Sequence, residues 1–141
     1  MSRPFPMMST PDADDAPVLA QALVDFDHAV QTLIAADPIT HGRFSRAYVT
    51  AVFRACLTPE GPGPGAPRGR PDPEIAQALK QWIQGRLLLH PGEARDHRLT
   101  AARRAAHGFW LQSLADPIDV DGRPRANRLL DGLLALTHRE A

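Results

Sequence analysis

Few residues in this chain could do chemistry, and their spacing decides what that chemistry would be. Glu93 and His97 stand four apart, so a helix would bring them onto one face, with His90 close before them. A carboxylate and imidazoles so placed are raw material for a metal site. A di-iron bundle, however, uses a Glu-x-x-His pair on each of two helices, and the chain has no such pair. A structural zinc site needs thiols in pairs, and the only cysteine is Cys56. The pattern points to no metal and no cofactor.

Nucleophile patterns are missing as well. The chain holds no Gly-x-Ser-x-Gly elbow, no Walker A loop and no dinucleotide glycine fingerprint. Cys56 has His41 upstream, but an apolar helical run surrounds the thiol and works against its ionisation. Asp25-Phe26-Asp27-His28 sets charged groups on the rim of an apolar seam. No catalytic residue is assigned, and an enzyme of unknown class ranks third among the readings.

Basic residues offer two further candidates. Arg68-Gly69-Arg70-Pro71 has the make-up of an AT-hook, in which extended guanidinium groups enter the narrow minor groove of A-tracts. Asp72 and Glu74 follow at once, and no Lys or Arg precedes the motif within ten residues, so phosphate contacts are undersupplied. A linker is the better reading. The densest basic cluster is Arg95, Arg98, Arg103 and Arg104. On a helix, Arg95 and Arg98 share one face while Arg103 and His107 share another, so they form no single stripe. The competing reading is a solvated face with ion pairs to Glu93 and Asp96. A helix-turn-helix around "LLLHPGEARDHRL" is a poor match, because Pro91 sits in the turn and Arg98 falls where an inward residue belongs.

These groups must be positioned by helices. Leu19, Leu23, Phe26, Val30 and Leu33 recur at spacings of four and three, which predicts an amphipathic helix from Pro17 to Asp37-Pro38. A second helix is expected over 39–57, with Phe44, Tyr48, Val49, Val52, Phe53 and Cys56 inward and Arg43, Arg46 and Arg54 toward water. Residues 58–71 form a loop in which nine of fourteen residues are Pro or Gly. Asp72-Pro73-Glu74 opens a third helix carrying Ile75, Leu79, Trp82, Ile83 and Leu87. A fourth, starting at Pro91, turns Leu99, Ala102, Ala106, Phe109 and Leu114 inward. A fifth covers 124–138. The expected fold is all-α, one bundle of about five helices over 17–141 with a disordered tail at 1–16.

Composition bounds the rest. A length of 141 residues suits one domain, and eight aromatics leave a core built mainly of Leu, Val, Ile and Ala. Formal charge sums to zero, yet residues 1–40 hold one Arg against six Asp while 41–110 hold eleven basic groups against five acidic. Fifteen Arg to one Lys fits a GC-rich bacterial genome. A lone cysteine fits a reducing compartment. The N-terminus lacks a signal-peptide apolar core, and no apolar run reaches the 18–20 residues or so of a bilayer span. A cytoplasmic protein without membrane contact is expected.

The leading reading is a non-catalytic helical protein that binds another macromolecule, as an adaptor, accessory subunit or regulator. Leu130 and Leu134 are the candidate contact residues for a protein partner or a homodimer, on the expectation that Leu129, Leu133 and Leu136 face the core. The alternative is a nucleic-acid-binding accessory protein using residues 43–104, with Arg95, Arg98, Arg103 and Arg104 at the contact.

Overall fold

The computed structural model describes residues 11–57 and 73–138, with side-chain detail for 21–57 and 76–138. The Pro/Gly loop with Arg68-Gly69-Arg70-Pro71 lies outside the described residues, as do 1–10 and 139–141. Among the described residues the fold is all-α, with no strand. Six helices follow in order: α1 (Pro11–Ala36), α2 (Arg43–Leu57), α3 (Pro73–Leu87), α4 (Pro91–Ala94), α5 (His97–Ala115) and α6 (Arg123–His138). A single 3-10 turn, Val120–Gly122, leads into α6. Helix α1 starts six residues before Pro17 and takes in the Asp-rich end of the segment expected as tail.

The central element is α2. Ten of its 15 residues are buried, because Phe44, Tyr48, Val49, Val52 and Phe53 supply a broad apolar arc along it. It packs against α1, α5 and α6, and α5 packs in turn on α6. From α1 come Phe26 and Val30, and from α5 come Leu99, Ala102, Ala106, Trp110 and Leu114. Phe109 was expected in that inner row but is only half-buried, stacked flat on Phe53 with ring centroids 4.2 Å apart.

Two expectations are corrected here. Arg46 is buried rather than solvated. Its guanidinium donates to Asp37 Oδ2 (2.7 Å), to the Ile39 carbonyl (2.7 Å) and to the Thr137 carbonyl (3.5 Å), which supplies the hydrogen bonds a buried cation needs. The predicted fourth helix is two helices, broken at Arg95-Asp96. Asp96 takes extended backbone and its Oδ1 accepts the amides of Arg98 (2.9 Å) and Leu99 (3.2 Å), so it caps α5 afresh.

Helix α3 is fastened to α1. Asp27 Oδ1 accepts from Trp82 Nε1 (2.9 Å) and pairs with Arg86 (2.6 Å), and Leu79 is buried beneath them. Trp82 also meets Phe26 edge-on at 5.3 Å. With that face committed to α1 and α2, a second flank of α3 is left turned toward α5.

Candidate functional site

That flank forms one wall of a cleft. Lys80, Ile83, Gln84 and Leu87 line it from α3, and Thr100, Arg103, Arg104 and His107 line it from α5. Each set follows the spacing three, one, three, which is one stripe of a helix running about 10 Å. Ala94 of α4 completes the lining beside the α3–α4 turn, and the cleft encloses about 340 Å3. The space exists because α5 reserves its close packing for α2 and α6. Among the described residues, no carboxylate lines it.

The floor is Arg103, whose side chain is buried in a relay. Its Nη1 donates to Ser45 Oγ (2.6 Å) and its Nη2 to Thr100 Oγ1 (3.1 Å), while Ser45 Oγ donates to Glu93 Oε1 (2.7 Å). Burial pulls the Arg103 guanidinium below the ordinary arginine value, and the Glu93 carboxylate opposes that pull. The group stays a cation at neutral pH. Lys80 and Arg104 are exposed at the rim, and neither forms an ion pair with a described residue. His107 lines the cleft half-buried. Burial lowers its pKa, its ring tilts against Trp110 at 5.6 Å, and its Nδ1 has no hydrogen-bond partner among the described residues.

The four-arginine cluster is thus dispersed. Arg103 is interior, Arg98 is half-buried, Arg95 lies exposed between α4 and α5, and only Arg103 and Arg104 meet in the cleft. The expected ion pairs are also replaced: Glu93 turns inward, and Asp96 accepts from the His41 ring at 2.9 Å. That bond is the main cause holding the Asp96 carboxyl below its usual pKa. Lys80 was not singled out in the sequence. The stripe Lys-x-x-Ile-Gln-x-x-Leu was legible there, but nothing local indicated that it would face a basic helix.

On α6 the expected facing is corrected. Leu133 is buried, but Leu129 is 42% exposed, and Leu130, Leu134 and Leu136 are half-buried against the core. Helix α6 rolls so that Ala126, Leu133 and Thr137 point inward, because Thr137 stands over Arg46. Leu130 and Leu134 therefore offer less free surface than their spacing suggested.

Other reactive groups are enclosed. Burial pushes the Cys56 thiol up, and Ser113 Oγ donates to its sulfur at 3.2 Å. Burial also raises the Tyr48 phenol, whose hydroxyl lacks a partner among the described residues, like Trp110 Nε1. No group of three or more potential metal ligands assembles among the described residues. A second cleft of about 390 Å3 lies between α5 and α6, lined by Phe109, Asp116, Ile118, Asp119, Arg125 and Leu129 among others, and mixes both charges. No described helix is long and apolar enough to cross a membrane. No protein-family model matches the chain, and comparison with curated proteins and with solved structures finds no match.

Proposed function

We propose that the protein is non-catalytic and acts by binding another protein, as an adaptor, accessory subunit or regulator in a bacterial cytoplasm. The observation that supports this reading is the α3–α4 turn, where Leu88 and Leu89 are 81% and 67% exposed. Two consecutive leucines projecting from a turn contribute nothing to the core of this chain. Burying each against a partner would contribute roughly 1.5–3 kcal/mol. Protein contact is thereby favoured over nucleic-acid contact, which draws its affinity from phosphate charge.

The test is affinity capture from the native host with wild type and with Leu88→Ser, Leu89→Ser. Both side chains are exposed, so the variant keeps its core. A protein retained by wild type and lost with the variant supports the reading. Identical eluates, or recovery of nucleic acid alone, would overturn it.

A further inference from the structure

We propose that the cleft between α3 and α5 docks an acidic amphipathic helix of a partner protein, an inference that rests on the binding role above and names the partner's chemistry. Charge decides the sign. Lys80, Arg104 and the buried Arg103 line the cleft, His107 is beside them, and no carboxylate is among the described lining residues. The charge of Arg103 is offset in part by Glu93 behind it, so Lys80 and Arg104 carry the outward field.

Shape decides the class. Two facing stripes of about 10 Å match two turns of a helix laid between them. Half-buried Ile83 and Leu87 form an apolar strip flanked by those cations, and both already pack partly against the core. Leu88 and Leu89, exposed in the turn that follows Leu87, add apolar surface directly after it in the chain. An incoming helix with leucines at i, i+3 and i+7, and glutamates flanking them, meets both requirements at once. A nucleic acid would meet only the charge, and two rim cations make a short phosphate track.

The experiment is fluorescence anisotropy with a labelled peptide of about 20 residues, long enough to hold helix, carrying that Leu/Glu pattern. Wild type is compared with Lys80→Glu, Arg104→Glu and with a control of equal charge change, Arg125→Glu, Arg128→Glu, on exposed positions of α6. Saturable binding that weakens at least about tenfold in the cleft variant and less than about twofold in the control is the expected result. A second peptide with Ser replacing Leu should lose binding to wild type. Absence of saturable binding at about 1 mM peptide would overturn the inference. So would equal weakening in both variants, or a charge-matched oligonucleotide binding more tightly than the peptide. A partner captured through Leu88 and Leu89 but indifferent to Lys80→Glu, Arg104→Glu would overturn this inference and leave the binding role standing.

Discussion

Glu93 and Ser45, 48 residues apart, are joined by two hydrogen bonds: Glu93 Oε1 accepts the Ser45 amide at 2.9 Å and the Ser45 hydroxyl at 2.7 Å. Glu93 Oε2 accepts the Phe44 amide at 3.0 Å, so one carboxylate from a four-residue helix closes the N-terminus of the central helix. Helix N-termini leave amides without internal partners and carry a partial positive charge, and a carboxylate answers both. The same contact anchors the end of the candidate cleft, because Arg103 reaches the Ser45 hydroxyl from the other side.

Removing that carboxylate should be costly. Glu93→Ala leaves two buried amides and the Ser45 hydroxyl without their acceptor and removes the negative charge that stands near the buried Arg103. A loss of about 3–5 kcal/mol is expected. Glu93→Gln keeps one acceptor oxygen and should lose less. Urea denaturation of the two variants checks this; equal, near-zero losses would show that the cap contributes nothing.

Gly42 should resist substitution. Its φ is +88°, and a Cβ there would come within 2.6 Å of Arg46 Nη1. Arg46 is held by Asp37 and the Ile39 carbonyl and has little freedom to retreat. Gly42→Ala is therefore expected to cost about 1–3 kcal/mol, read as a lower thermal midpoint. An unchanged midpoint would mean that the turn relaxes freely.

Asp37 supplies an acid-sensitive contact. Its bond with Arg46 is the main cause that holds its carboxyl below the ordinary 3.8. The unfolded chain then takes up this proton first, so the stabilisation is complete above that value and disappears as pH falls through the lowered folded one. Asp37→Asn should be less stable than wild type at neutral pH, with the gap narrowing in acid below pH 3.8. A gap that stays constant down to full protonation would remove Asp37 from the account.

His107 titrates in a different window. Burial lowers its folded pKa from 6.5, so the unfolded state takes up this proton first as pH drops. Stability attributable to the neutral ring is intact above 6.5 and declines below it until the folded ring also protonates. His107→Gln should flatten that part of the stability profile between neutral pH and pH 5 or so. A variant profile parallel to wild type across this window would assign the pH dependence to other groups.

Local chemistry made much of the fold legible. The spacing of Phe26 and Val30, the Asp-Pro pair after α1, the start of α3 at Pro73 and the apolar breadth of α2 all follow from residues near one another in sequence. The break between α4 and α5 was legible in principle, since Asp96 followed by helix formers is a cap signal. Helical period alone carried the expected helix across it.

What only the tertiary structure decided concerns charge. Glu93, Arg46 and Arg103 read as surface groups because ionised side chains are normally solvated, yet all three are buried. Their partners, Ser45 and Phe44 for Glu93, Asp37 and Thr137 for Arg46, and Ser45 for Arg103, lie on other elements at separations no local pattern reports. The cleft is of the same kind. The stripes at 80–87 and 100–107 are each a helical period, but their meeting depends on Asp27 holding α3 by Trp82 and Arg86. Periodicity states which residues share a face of one helix. Which faces look at each other is settled by the long-range hydrogen bonds that a buried charge requires and by the close packing of α2 against its neighbours.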